Sequence, residues 1–270
     1  MIQVGYSSQI ECDMPEDSLD NLAYNKNMII KEIQSKTILS VSKVYPYVIN
    51  PYTGCQHGCS YCYAHFMKRF SGHQEPWGQF VDVKVNASDL LRMEITRKKT
   101  GKVWISGVCD PYQPLEAKYK LTRRCLEILA QNDWPVVVQT RSPLVLRDMD
   151  ILRKGKAFEV GLSITTADDE IRRLFEPHAP PIKERIRALD ELHRAGIRTY
   201  AMIAPMLPGA ENLAEILAGK VDYVMLDRMN YHYGDWVYRK YGLEEKMTDE
   251  FFSRTERILS SKFAKLGISC

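Results

Sequence analysis

The sequence predicts an α/β protein, a partial (β/α)6 TIM-like barrel with an N-terminal extension and a C-terminal helix. Two observations carry this. Strand-like apolar runs alternate with helix-like segments along most of the chain, which implies a parallel sheet with right-handed crossovers. The 270 residues fit one large domain, but a closed eight-stranded barrel would need more strand–helix units than can be found. A doubly wound sheet is the alternative.

Residues 1–36 are polar and read as an extension, part loop and part helix. Residues 37–44 are apolar and β-branched, a short strand or edge segment. Residues 45–49 give the first core strand, which ends at a cysteine-containing loop. Residues 63–70 read as a helix whose aromatics fall at helical spacing, a pattern of core packing. After a Gly/Pro/Trp loop, residues 80–85 read as a strand, and Ser88 or Asp89 is placed to cap a helix over 90–98. Alternation then becomes regular. Strands at 103–106, 136–139, 158–164, 199–203 and 221–226 are followed by helices at 122–130, 146–154, 181–195, 212–218 and 249–266. With 45–49 these strands make the barrel. Low-complexity tracts and linkers are absent, so the chain reads as one domain: extension 1–44, core 45–230, and an aromatic segment with the closing helix over 231–270.

Hydrophobic content of 45% and charged content of 26% are ordinary for a soluble globular protein. No apolar run is long enough to span a bilayer, and the first ten residues lack the basic and apolar regions of a signal peptide, so a cytoplasmic location is expected. A net charge of +3 is too mild to argue by itself for nucleic acid. Seven cysteines, three of them close together, fit an intracellular metal protein better than a disulfide scaffold. Cys12, Cys109, Cys125 and Cys270 are scattered and suggest no second metal cluster.

Those three are Cys55, Cys59 and Cys62, a C-x3-C-x2-C spacing in a loop dense in turn formers. Gly54 and Gly58 allow a backbone tight enough for the sulfurs to converge. Iron–sulfur clusters usually take four thiolates. Three leave one iron open to a substrate or cofactor. The alternatives are a structural zinc site with His57 or His65 as fourth ligand, or cysteines that are merely buried. Zinc sites favour paired spacings, and no second pair exists.

The spacing, with Tyr61 just before the last cysteine, resembles the signature of radical S-adenosylmethionine (SAM) enzymes. The longer context, residues 50–64, is similar to the spore photoproduct lyase-like branch, many of whose members are labelled DNA repair photolyases by similarity alone. The resemblance implies a partial (β/α)6 barrel and a [4Fe-4S] cluster on Cys55, Cys59 and Cys62. It implies SAM bound to the fourth iron, an external one-electron reductant of flavodoxin or ferredoxin type, and a 5′-deoxyadenosyl radical that abstracts hydrogen. Tyr61 would lie against the adenine. The readings that compete with it are a non-catalytic iron–sulfur carrier or sensor and a zinc-binding nucleic-acid adaptor.

Ligands of parallel α/β folds sit at the C-terminal ends of strands. The loop from Cys109 to Glu116 resembles the relatives' segment near the methionyl end of SAM, which implicates Asp110; capping of the next helix is the plainer role for Asp110 and Glu116. The Gly-Gly-Glu motif of many radical SAM proteins is absent, leaving Cys109 or Asp110 to contact the amine. Cys109 is also a candidate hydrogen-atom donor, although alignment places the lyases' donor cysteine at Gly107. Arg141 matches a lysine that reaches the SAM carboxylate, which a guanidinium grips bidentately; a surface pair with Asp148 or Asp150 is the alternative. Ser163 matches a serine that touches SAM, with Thr165 and Thr166 extending the polar edge. Glu176 and Arg185 read as a salt bridge bracing their loop, with substrate contact as the alternative, and His178 as a candidate acid or base or, more plainly, a structural histidine. Residues 204–209 resemble a turn lying against the adenine, and Asp227, Arg228 and Asn230 fall where the substrate end would be. Residues 229–241 interleave aromatic and basic residues. They suit base stacking by a nucleic-acid substrate or packing over the barrel mouth.

Overall fold

In a computed structural model the structure describes residues 28–270. Cys12 and most of the N-terminal extension lie outside the described residues. The strands are β1 (Ile29–Ile33), β2 (Leu39–Val41), β3 (Tyr47–Ile49), β4 (Tyr52–Thr53), β5 (Phe80–Lys84), β6 (Val103–Ile105), β7 (Val136–Thr140), β8 (Phe158–Ser163), β9 (Arg198–Ile203) and β10 (Tyr223–Leu226).

The larger sheet has seven strands in the order β10-β9-β8-β7-β6-β3-β2. Strand β2 is antiparallel to β3 at one edge, and every other pairing is parallel. The parallel strands are those expected from the sequence. Among the described residues β10 does not pair back to the opposite edge, so the barrel is partial.

Register explains why this sheet forms. Val136, Val138, Val160, Leu162, Ala201 and Ile203 point to the outer face and are fully buried beneath helices Leu121–Gln131 and Ile182–Arg194. Burying one such side chain contributes roughly 1.5–3 kcal/mol. Cys125 belongs to this layer as a small hydrophobe. The inner face is closed at its lower end by Tyr200 stacked on Tyr223 (5.1 Å) and by Glu159, which holds Lys102, Arg198 and the Tyr223 hydroxyl. Gly161 makes room for that floor: a Cβ there would lie 2.1 Å from the Tyr200 ring. The open space is therefore at the upper, C-terminal ends of the strands.

Several expectations are corrected. Residues 29–33 form a strand rather than helix or loop, and it pairs in parallel with β5 in a separate sheet, β1-β5-β4. The helix expected over 90–98 is Ala87–Ile95, so Ser88 and Asp89 lie inside its first turn. Asn86 precedes it, and its amide clasps the Ser35 backbone in both directions at 2.9 Å. Residues 63–71 form a 3-10 turn and then a single helical turn, and the helix expected over 146–154 begins as a 3-10 turn from Pro143. Helices Leu115–Tyr119, Asp169–Phe175 and Asp235–Lys240 were not expected. Asp168 caps the second of these through Glu170 N (2.8 Å), a local signal present in the sequence. Among the described residues no helix is long and apolar enough to cross a membrane.

Candidate active site

The loop carrying the three cysteines leaves β3 and β4 and is clamped from both sides. Gly54 has φ +90°, and a Cβ there would sit 2.3 Å from the Phe80 carbonyl oxygen, so only glycine fits. Gly58 and Gly78 meet backbone to backbone, with a Cβ on Gly78 falling 2.8 Å from Gly58 Cα. On one flank Gln56 N donates to Gln113 Oε1 (2.9 Å), while Leu115 N donates to Gln56 Oε1 (2.6 Å). On the other, Ser60 N donates to the Phe175 carbonyl (2.8 Å). The turn is thus fixed by a proline-rich loop after β6 and by the loop after helix Asp169–Phe175.

Above the strand ends lies a cavity of about 220 Å³, and Cys55, Cys59, Cys62, Tyr61, Cys109, Asp110 and Arg141 all line it. Burial pushes the Cys59 thiol up to about 12 and Cys55 well above its usual range, with the Asp110 carboxylate adding to the latter. Such groups become thiolates only beside a strong positive charge. Among the described residues, no three His, Cys, Asp or Glu side chains gather round one point. His57 Nε2 lies 3.3 Å from Asp110 Oδ2, and its Nδ1 lies 3.4 Å from the His178 carbonyl oxygen. His65 lies between Trp77 and Tyr233. Three cysteine thiols lining one cavity are donors of the kind that hold iron–sulfur clusters.

Asp110 ties three strand ends together. Its carboxylate accepts from Tyr112 N (2.9 Å), Thr140 Oγ1 (2.6 Å) and Arg141 N (2.7 Å), and His57 Nε2 lies 3.3 Å from it. Burial alone would raise its pKa, but His57 and these donors hold it at about 2. Glu116 does not face the cavity. It accepts from Thr122 N (3.0 Å) and Arg123 N (3.2 Å) at the start of the next helix, the capping role, and from Arg147.

Glu176 organises the opposite wall. It is fully buried and accepts from Arg185 Nη2, the Tyr61 hydroxyl, Thr165 Oγ1 (3.0 Å) and Arg141 Nε (3.4 Å). Burial raises its pKa, yet the Arg185 and Arg141 guanidiniums bring it down to about 2. The expected Glu176–Arg185 brace is present, both side chains being wholly buried. One carboxylate between two guanidiniums leaves a positive charge in excess, and Arg141 is the member on the cavity wall. Asp148 and Asp150 bind Arg123 and not Arg141.

Cys109 reaches the cavity beside Ser106 Oγ (2.9 Å), and burial holds its thiol up at about 12, so it carries its proton at neutral pH. Asn50 Oδ1 fixes that loop through Gly107 N (2.8 Å) and Val108 N (3.0 Å). Ser163 is buried beneath Gln139, whose Nε2 lies 3.4 Å from its hydroxyl; Gln139, with Trp104 and Met202, forms the wall there. The sequence signal for Gln139 was an amide directly after a valine run, near the strand's C-terminal end. Thr166 is spent on the Pro208 carbonyl (2.6 Å). At the mouth Tyr63, Tyr231 and Tyr233 form a stacked row with centroids 6.2 Å apart, while Val237 and Tyr238 bury themselves against Phe175. The aromatic segment therefore both packs and presents rings.

A family model of the Radical SAM superfamily matches residues 49–218. An uncharacterized protein of Methanocaldococcus jannaschii is 33% identical over 243 residues, covering 89% of this chain and 90% of that protein. A Pseudomonas phage M6 protein named Radical SAM Nalpha-GlyT isomerase is 26% identical over 161 residues, 59% of this chain and 33% of its own length. Among solved structures, spore photoproduct lyase complexed with dinucleoside spore photoproduct shares the fold, with a TM-score of 0.67 over 89% of this chain and 81% of that one, at 17% identity. Cysteine spacing, six-strand partial barrel and family match agree, and the chain belongs to the radical SAM superfamily.

Proposed function

We propose that this chain is an enzyme that holds a [4Fe-4S] cluster on Cys55, Cys59 and Cys62, binds SAM beside it, and abstracts a hydrogen atom from a nucleic-acid substrate. The observation that carries the reading is that three cysteine side chains line one cavity together with Arg141, which shares the single Glu176 carboxylate with Arg185 and so leaves a positive charge in excess. When bound, the cluster supplies the electron that cleaves SAM to methionine and a 5′-deoxyadenosyl radical.

The protein's own residues hold and shield. Arg141 keeps guanidinium N–H groups for the SAM carboxylate after donating to Tyr61 and Glu176. Tyr61, anchored through its hydroxyl, would lie against the adenine. Asp110 has its oxygens committed to three donors, so its part toward the SAM amine is to fix the strand ends around it. Gln139, over Ser163, supplies the polar contact on that wall. Cys109 is the hydrogen-atom donor to a substrate radical: its S–H bond breaks as a C–H bond forms, and an electron from the external reductant with a proton restores the thiol. The tyrosines at the mouth suit stacking on bases, each worth about 1–3 kcal/mol. The lyase of like fold is bound to a dinucleoside photoproduct, which supports the same substrate class.

The test is anaerobic incubation of the reconstituted chain with SAM, dithionite and an oligonucleotide deuterated on its thymine methyls. Release of 5′-deoxyadenosine carrying deuterium is expected. Release without deuterium would keep the enzyme and remove that substrate position; no release from a cluster-loaded protein would favour an electron carrier.

A further inference from the structure

We infer that Ser106, held by Asn50, fixes the direction of the Cys109 S–H bond and so protects its hydrogen atom from premature loss to the first radical formed in the cavity. The inference rests on the donor role proposed for Cys109. Strands β3 and β6 pair in register, Ile49 beside Ile105, so the next residues, Asn50 and Ser106, leave the sheet side by side. The Asn50 side-chain oxygen accepts from Ser106 Oγ (2.7 Å), Gly107 N (2.8 Å) and Val108 N (3.0 Å). Two of these donors are backbone N–H groups, so the atom facing them is the amide oxygen and not its nitrogen. An amide oxygen has no hydrogen to give, and the one hydroxyl hydrogen of Ser106 is therefore spent on it. Ser106 Oγ also lies 2.9 Å from Cys109 Sγ. That contact can be closed only by the thiol, whose hydrogen points at Ser106 Oγ.

The direction matters because a hydrogen engaged in a hydrogen bond must break that bond before it moves to a radical. Cys109 lines the same cavity as Cys55, Cys59 and Cys62, so the radical cleaved from SAM forms in the space that this thiol faces. Premature transfer would move the hydrogen atom from sulfur to the 5′ carbon, giving 5′-deoxyadenosine and a thiyl radical and leaving the substrate untouched. The bond to Ser106 opposes that loss by about two- to tenfold, the net worth of one hydrogen bond. Once a substrate radical exists, the same hydrogen moves to its carbon, and an electron from the external reductant with a proton restores the thiol. Ser106 is 6% exposed and acts through Cys109, which makes it a positioning residue.

Two readouts test this. The first is the infrared S–H stretching band of Cys109 in the full chain, isolated as the difference between wild type and Cys109→Ala, and it needs no cluster. A band lowered from the free-thiol position is expected, returning toward it in Ser106→Ala. Ser106→Thr, which keeps the hydroxyl, is expected to stay close to wild type. The second is the 5′-deoxyadenosine formed in D2O by the reconstituted chain with SAM and dithionite but no substrate, where deuterium in the product reports quenching by the exchanged thiol. Ser106→Ala is expected to raise the Cys109-dependent deuterated fraction about two- to tenfold, and Ser106→Thr to restore the wild-type level. A Cys109 band at the free-thiol position in the wild type, or one unmoved by Ser106→Ala, overturns the inference. So does a shifted band with an unchanged deuterated fraction, which would mark the bond as packing alone. 5′-Deoxyadenosine free of deuterium in wild type and Ser106→Ala alike removes Cys109 as a donor, whereas no 5′-deoxyadenosine at all refutes the proposed function; the inference falls with either.

Discussion

Replacing Glu176 by glutamine tests the wall opposite the cysteines. Glu176 and Arg185 are wholly buried, and Arg141 and Tyr61 share the same carboxylate. Burial raises the Glu176 pKa, and the two guanidiniums and the donating hydroxyl bring it from 4.5 to about 2. A difference of that size corresponds to about 3 kcal/mol of stability at neutral pH. An independent route gives a similar figure, since removing one partner of a buried ion pair costs about 3–5 kcal/mol. The sign is fixed by the direction of the shift. The contribution is complete above the unfolded-state value near 4.5 and is lost as pH falls toward 2. Urea unfolding followed by far-ultraviolet circular dichroism should therefore show Glu176→Gln less stable than wild type by about 3 kcal/mol at pH 7, with the gap closing below pH 4. Arg185→Met on the Glu176→Gln background should recover part of the loss, because the unpaired buried cation is gone. A loss under about 1 kcal/mol at pH 7, or a gap independent of pH, would refute this account of the network.

Cys59→Ala should reduce iron bound after anaerobic reconstitution to background, while Cys125→Ala, in the helix–sheet core, should retain it; iron and sulfide assays decide. Arg141→Met should weaken SAM binding to the cluster-loaded protein by roughly 10- to 150-fold, the equivalent of one charge-assisted hydrogen bond, as read by calorimetric titration. Gly161→Ala should destabilise by about 1–3 kcal/mol through overpacking on Tyr200, and Tyr200→Leu on that background should restore much of it.

How far the sequence revealed this site depends on what kind of signal each residue leaves. The parallel strands were legible because Val136 to Val138 is a short apolar run and Phe158 to Leu162 alternates apolar residues with Glu159 and Gly161, each followed by helical segments. Strand β1 was not, because Ile29–Ile33 is a half-exposed edge whose partner β5 is distant in sequence and separated from the main sheet. The cysteine triplet was legible because its spacing is local. Arg141 was legible as a residue at a strand end, but its tie to Glu176 and Tyr61 is a tertiary fact joining three loops. Ser163 was placed correctly on β8, yet the Gln139 side chain from the adjacent strand covers it, which no spacing rule foresees. The helix Leu115–Tyr119 was hidden by Pro111 and Pro114, which read as loop, although proline is compatible with a helix start.

The open corner of the cluster is the central claim, and EPR of the dithionite-reduced protein before and after addition of SAM addresses it most directly. Iron at about four per chain, with a reduced-cluster signal whose g values change on adding SAM and do not change with methionine-free adenosine, is the predicted result. A colourless protein holding zinc, or an iron–sulfur signal indifferent to SAM, would contradict it.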